Sequence, residues 1–306
     1  MSRADVIILG GGPAGYTAAL YATRAGLDTL VLEKMSAGGQ MALTTQIDNY
    51  PGFDEGIDGF TLGEQMQRGA ERFGAKTILA DVTGVELHGQ PKIIHTTEGD
   101  FEAGAVIIAT GAAHRVLGLP GEEALVGKGV AYCASCDGMR YRGKTVAVVG
   151  GGNSAAQDAL HLSRLCKEVI VIHRRDTMRA TKIYHEPLMQ APNVRFLWNS
   201  VVADFIAEGK LTGLKVRNLQ TEEVTDLPVD GVFISIGRAP ETAFLGDQVE
   251  LDAGHYIVAD ESTHTSVPGV FAAGDVRVKK LRQVVTAVAD GAVAAEEAAA
   301  YLHSLK

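Results

Sequence analysis

The chain has 306 residues, 46% of them hydrophobic and 21% charged, with a formal net charge of −9 at pH 7. That is enough to bury one sizeable core or two moderate ones, and the acidic balance excludes a general affinity for nucleic acid or an anionic membrane, since polyanions are held by clustered Lys and Arg. No run approaches the ~20 apolar residues of a membrane span, and three cysteines suit a reducing cytoplasm, where a close thiol pair more often serves catalysis or metal binding than structure.

The glycine-broken opening "MSRADVIILGGGPAG" reads as a strand rather than a leader peptide. Within it "DVIILG" (residues 5–10) is a short continuous apolar run, as in strands covered on both faces. "PAGYTAALYATRAG" (13–26) has an early proline, helix formers and a closing glycine, the marks of a helix start and stop. "DTLVLE" (28–33) is the next strand, and "GAVIIATG" (104–111) a third that ends in glycine. The strand–helix–strand order then recurs as "KTVAVVG" (144–150), "NSAAQDALHLSRLC" (153–166) and "EVIVIH" (168–173). "DGVFISIG" (230–237) and "GVFAAGD" (269–275) are further strands, followed by a helix from 283 to about 302. The class is α/β, with two Rossmann-like dinucleotide-binding domains, the second inserted within the first where the last strand rejoins the first sheet. Linkers are expected near 115–121 and 240–246, which contain Pro and Gly.

Residues 10–15, Gly-Gly-Gly-Pro-Ala-Gly, fit G-x-G-x-x-G between a strand and a helix, where glycines let a pyrophosphate approach the backbone at a helix N-terminus. Glu33 ends the next strand, where an acid binds a ribose hydroxyl. Residues 150–155, Gly-Gly-Gly-Asn-Ser-Ala, are the alanine-ending variant, and the strand after them ends in His173, Arg174 and Arg175 with no acid. Guanidinium groups there, with Arg179, favour a 2′-phosphate and hence NADP(H) over NAD(H). Two sites of different preference suggest a flavin and a nicotinamide. Cys133 and Cys136 form a Cys-x-x-Cys pair, open to a redox disulfide, a structural disulfide or half of a zinc site. Zinc needs four ligands and no second such pair exists, so no metal is expected. Cys166 ends an apolar helical pattern as a small core residue.

Taken together these motifs resemble those of the low-molecular-weight thioredoxin reductases. The elements are residues 10–15, "GGQ" at 38–40, "ATG" at 109–111, "CASCDG" from Cys133, "GGGNSA" from Gly150, "HRRDTMRA" from His173, and "GD" at 274–275 followed by "RQ" at 282–283. The resemblance covers essentially the whole chain. It implies FAD on residues 1–116 and 245–306, and NADPH with the Cys-x-x-Cys disulfide on 117–244. It implies FAD contacts from Gly10, Gly12, Pro13, Ala14, Gly15, Glu33, Lys34, Gly39, Gln40, Asn49, Val82, Thr110 and Gly111. Gly274 and Asp275 would hold the ribityl or phosphate portion, and Arg282, Gln283 and Val284 would close over the flavin. NADPH contacts would come from Gly150, Gly152, Asn153, Ser154, Ala155, His173, Arg174, Arg175, Arg179, Ile236 and Gly237.

By the same resemblance Cys136 takes electrons from the flavin, Cys133 attacks the partner's disulfide, and Asp137 moves the proton that each exchange step needs. The partner would be thioredoxin or a thioredoxin-like dithiol protein, with no nucleic acid or membrane involved, and the enzyme a cytoplasmic homodimer. Disulfide and nicotinamide would ride on one inserted domain yet meet one flavin, so that domain is expected to rotate between half-reactions. Two departures stand out. Met139-Arg140 occupy a place where the family often has two aromatics, and Gln157-Asp158 replace a pair that is often acidic. Lys128, Arg140, Arg142 and Lys144 give the thiols a basic neighbourhood suited to an acidic partner. The rival readings are a reductase of another dithiol carrier (peroxiredoxin-linked or glutaredoxin-like), an NADPH-ferredoxin reductase, which has no use for the thiol pair, and a flavin redox sensor without turnover.

Overall fold

The computed structural model describes residues 2–44 and 46–305. Strand β1 (Ser2–Leu9) is apolar without alternation because both its faces are covered: Ile7 and Leu9 belong to one buried cluster, Val6 and Ile8 to another. It leads into helix α1 (Pro13–Arg24), with proline in the first turn, and then β2 (Thr29–Glu33). Helix α2 (Gly59–Glu71) starts at Asp58, whose side chain accepts the Thr61 N–H at 2.8 Å. Strands β3 (Lys76–Leu79), β4 (Val82–Glu86), β5 (Lys92–Thr96) and β6 (Gly99–Ile108) complete the first segment. The sheet runs β3-β2-β1-β6-β5-β4, parallel from β3 to β6 and antiparallel beyond.

After β7 (Ala112–His114) the chain enters a second compact unit. Its strands are β8 (Val130–Ala131), followed by the short helix α3 (Ala134–Asp137), then β9 (Thr145–Val149), helix α4 (Asn153–Ser163) and β10 (Glu168–Ile172). Helix α5 (His185–Gln190) and β11 (Val194–Leu197) follow. Strands β12 (Ser200–Ala207), β13 (Leu211–Asn218) and β14 (Val224–Pro228) form an antiparallel meander. Strand β15 (Gly231–Ile234) returns to a fully parallel sheet of order β11-β10-β9-β15-β8. Val146 and Val148 face one cluster, Ala147 and Val149 the other, so this sheet too is buried on both faces.

The chain leaves through β16 (Arg238–Pro240) and rejoins the first sheet at β17 (Val270–Ala272), which pairs parallel with the second half of β6 while β5 takes the first half. A ten-residue β6 is what allows one strand to serve both partners. Helix α6 (Val284–Ser304) then packs on α1 through small residues: Ala18 and Ala22 on one side, Ala294, Ala295 and Ala298 on the other. A Cβ at Gly291 would lie 2.2 Å from the Ala14 carbonyl oxygen, so only glycine permits this approach. The architecture is therefore two Rossmann-like domains with the second inserted into the first. The compact units divide at 113/114 and 238/239, just before the Pro- and Gly-containing segments 115–121 and 240–246 and a few residues before the expected bounds at 116/117 and 244/245. The divisions fall inside β7 and β16, where hydrogen bonding rather than composition sets the path. No helix among the described residues is long and apolar enough to cross a membrane.

Candidate active site

In the first unit the parallel strands end at one edge, and the expected residues gather there. Gly10 has φ +104° and donates its N–H to the Leu32 carbonyl at 2.8 Å. A Cβ on it would stand 2.6 Å from the Ala109 carbonyl oxygen, and one on Gly15 would stand 1.9 Å from the Gly10 oxygen. Both glycines are thus required by packing. Gly12, which caps α1, is different: a Cβ there would meet nothing within 4 Å. The turn has a packed floor and an open mouth at a helix N-terminus, the arrangement that accepts phosphate.

Glu33 is 9% exposed, and its carboxylate accepts the Gly11 N–H at 2.6 Å and the Met35 N–H at 2.9 Å. Gly38 N–H donates to the Gly11 carbonyl, and Gly39 lies against Gly12, its Cβ position 3.4 Å from the Gly12 Cα. This brings "GGQ", with exposed Gln40, to the mouth of the turn. Gly274, at φ +80°, packs over Ala14, so Asp275 follows immediately beside the start of α1. Gln283 accepts from the Asn49 side-chain amide at 3.0 Å and closes a capping box with Thr286, while Val284 packs on Met41, Ile47 and Leu62. The Arg282 guanidinium stacks 4.2 Å from the Tyr256 ring centre, and its buried Nε has no hydrogen-bond partner among the described residues.

Five further candidates, Pro13, Lys34, Val82, Thr110 and Gly111, sit less centrally. Lys34 pairs with Asp81 at 2.8 Å in an exposed contact next to Val82, and the Thr110 hydroxyl donates to the Glu241 carbonyl at 2.7 Å beside Gly111. Pro13 occupies the first turn of α1.

The second unit repeats the turn. Gly150 has φ +151°, and a Cβ there would lie 2.3 Å from the Ser235 carbonyl oxygen and 2.8 Å from the Ala155 Cβ; Gly152 again faces open space. Ser235 N–H donates to Val149, so Ile236 and Gly237 emerge beside the turn. The loop after β10 is laced to the same turn: the Arg179 and Ala180 N–H groups donate to the Gly151 carbonyl at 2.7 and 3.1 Å, and the Asn153 side chain accepts from Thr181 at 2.8 Å. Arg174, Arg175 and Arg179 are exposed on that loop, and Ser154 is exposed on α4. His173 differs from its arginine neighbours. Its ring is buried flat against Gly151, its Nε2 has no hydrogen-bond partner among the described residues, and burial, helped by Arg179, holds its pKa below the ordinary value. An open glycine, a buried unpartnered nitrogen and a loop of cations together fit an anionic nucleotide.

Cys133 and Cys136 are joined in a disulfide with Cα atoms 5.3 Å apart. Cys133 caps α3 and its carbonyl accepts the Asp137 N–H at 3.0 Å. The Cys133 sulfur lies 3.4 Å from the Ser135 hydroxyl, and the Asp137 carboxylate lies 3.5 Å from Arg140. Gly138 packs on Leu162, Leu165 and His161, which seats the disulfide turn on the end of α4. Cys133 follows β8 and Gly150 follows β9, with β15 between them in a parallel sheet. Disulfide and nucleotide turn therefore leave the same carboxyl edge, two strand spacings or roughly 10 Å apart.

Behind this edge, sequence reasoning missed a polar support. Glu122 is buried and accepts the Leu117, Gly118 and Tyr132 donors at 3.0, 2.9 and 2.7 Å. Tyr132, directly before Cys133, stacks on His114 with ring centres 4.9 Å apart. Burial, and secondarily Arg238, pushes the His114 pKa down to about 4. Asp158 is bonded to the Ser235 hydroxyl at 2.5 Å, and burial raises its pKa. The Asp158–Ser235 pair spans 77 positions, and the Glu122 bonds are made inside a loop, so neither leaves a periodic pattern. Cys166 is buried with its pKa raised to about 11 by burial, which keeps it a thiol. Among the described residues no group of three His, Cys, Asp or Glu side chains is placed to hold a metal ion.

Residues 4–291 match the pyridine nucleotide-disulphide oxidoreductase family. The chain is 47% identical to a thioredoxin reductase of Streptomyces coelicolor, over 98% of this chain and 94% of the relative. It is 46% identical to one of Listeria monocytogenes, over 99% and 95%. A crystal structure of thioredoxin reductase from Streptococcus pyogenes superimposes with a TM-score of 0.94 at 43% identity, covering 99% of both chains.

Proposed function

The chain belongs to the pyridine nucleotide-disulphide oxidoreductase family, among its thioredoxin reductases, and from that premise we propose that it reduces the disulfide of thioredoxin, or of a thioredoxin-like dithiol protein, with electrons drawn from NADPH through FAD. The observation that carries this reading is the Cys133–Cys136 disulfide, set in the same compact unit and at the same sheet edge as the second glycine turn.

When bound, FAD supplies the two-electron carrier between a nicotinamide hydride and a disulfide. On this reading the turn at 10–15 holds its pyrophosphate, Glu33 its ribose, and Gly39, Gln40, Asn49, Asp275 and residues 282–284 the remainder. The turn at 150–155 holds NADPH, with Arg174, Arg175 and Arg179 on the 2′-phosphate. Cys136 is the sulfur that receives two electrons, so the S–S bond opens and Cys133 leaves as a thiolate. Cys133 then attacks one sulfur of the partner's disulfide, forming a mixed disulfide and expelling the partner's other sulfur. Cys136 closes back on Cys133 and releases the partner as a dithiol. Two protons enter per cycle, one with the NADPH hydride and one from solvent. Asp137, held next to Arg140, is the group that moves them.

Since disulfide and NADPH site travel on one unit, and each has to meet the same flavin, the inserted unit turns on its two crossings between half-reactions. Three cysteines in 306 residues accord with a reducing cytoplasmic setting. We also assign a homodimer, which sedimentation tests.

The experiment mixes the holoprotein with NADPH or NADH and a panel of oxidised dithiol carriers, alongside Cys136→Ser. NADPH consumption that tracks thioredoxin reduction and disappears in the variant supports the proposal. Reduction of bound flavin with no consumption in the presence of any carrier points instead to a sensor.

A further inference from the structure

Asp290 lies on the second turn of α6, outside every motif that marks the nucleotide sites. Its carboxylate is only 15% exposed and accepts from three donors. Oδ2 takes the Gly274 N–H at 2.9 Å and the Lys279 Nζ at 2.7 Å, and Oδ1 takes an Arg277 Nη at 3.2 Å. Arg277 also donates to the Asp260 carbonyl at 2.6 Å, and Lys279 to the Thr286 carbonyl at 3.3 Å. One carboxylate therefore ties the turn after β17, the strap that follows it and the first two turns of α6.

Stability alone does not account for such a group. Two cations and an anion taken out of water recover their desolvation cost poorly, and apolar residues of similar volume often serve at least as well. What the network does supply is direction. Gly274 is fixed at φ +80° against Ala14, and Arg277 is held between Asp290 and the Asp260 carbonyl. Of the C-terminal residues assigned to the flavin, Gly274 bonds this carboxylate directly and Asp275 follows it in the chain.

We propose that Asp290 is a positioning residue of the flavin site, acting through the Gly274 N–H and the Arg277 guanidinium to present Gly274 and Asp275 to the flavin. This rests on the FAD assignment made above.

The test follows flavin fluorescence as FAD leaves the holoprotein at 25 °C, with thermal unfolding recorded in parallel. Asp290→Asn should release FAD more than fivefold faster than the native chain. Lys279→Met keeps both the Gly274 bond and the Arg277 pair, and should stay within fivefold. Should the asparagine variant fail to fold, Asp290→Glu decides, since it keeps the charge but carries the carboxylate one methylene past the Gly274 N–H, and it too should exceed fivefold. A folded Asp290 variant that melts earlier yet stays within fivefold of native release would overturn the proposal, as would a greater than fivefold effect of Lys279→Met. A native chain purified without flavin would instead refute the FAD assignment.

Discussion

The arginine loop offers the sharpest test of nucleotide preference. Arg174 and Arg175 are exposed, on a loop whose backbone is bonded to the Gly151 carbonyl through Arg179 and Ala180. Replacing both with alanine should therefore remove their charges and leave the turn intact. A charge-assisted bond is worth about 1.5 to 3 kcal/mol, and exposure puts both residues at the low end. Two such contacts give about 3 kcal/mol, roughly a hundredfold in kcat/KM for NADPH. NADH has no 2′-phosphate, so its kcat/KM should change less than about threefold. High salt should narrow the native preference in the same direction. Steady-state kinetics with both nucleotides on the Arg174→Ala, Arg175→Ala double variant provides the assay. An equal loss for both would mean that the loop supports the turn without reading the phosphate. No loss would mean the phosphate is read elsewhere.

Gly12 and Gly15 of the first turn should differ in whether the chain still folds. Gly12→Val meets open space and should fold but carry no flavin, whereas Gly15→Ala drives a Cβ to 1.9 Å from the Gly10 oxygen and should lose fold and flavin together; far-UV circular dichroism and visible absorbance per chain separate the cases. His114 carries a pH prediction. Its pKa falls from 6.5 unfolded to about 4 folded, so the unfolded chain takes up the extra proton between those values and stability declines as pH drops from 6.5 towards 4. The decline amounts to at most about 3 kcal/mol, and His114→Phe, which keeps the stack on Tyr132, should flatten the thermal midpoint across that window; an unchanged slope would contradict the burial argument. For the rotation, a cross-link that locks the two units in one pose should abolish turnover and spare at least one half-reaction, and undiminished turnover would refute it.

Much of this was legible in the sequence where one residue type satisfies a constraint by itself. Strands such as β1, β9 and β15 are buried on both faces, so unbroken apolar runs reveal them. Gly10, Gly15 and Gly150 are demanded by backbone approach, and no other residue fits. The β4–β5 hairpin and the β12–β14 meander were missed. The exterior of β14 is largely exposed, and β5 opens on Lys92, a buried lysine whose ammonium donates to the Leu87 carbonyl at 2.8 Å and which reads as a surface residue. Helix α2 went unread because its glycines and polar side chains dilute the apolar stripe. The supports of the site were hidden for another reason. Asp290 meets Gly274 sixteen positions away, Tyr256 meets Arg282, and Glu122 gathers backbone donors in a loop. Such pairings exist only after the fold has formed. His173 was grouped with the arginines by position, but the fold turns its ring inward onto Gly151.

Counting thiols tests the central claim most directly. With Cys133 and Cys136 joined and Cys166 free, the oxidised holoprotein should show one thiol per chain after denaturation. Anaerobic NADPH should raise that to three, while Cys136→Ser should give two before and after. A native count that stays at one while NADPH is oxidised would mean the electrons never reach this sulfur pair.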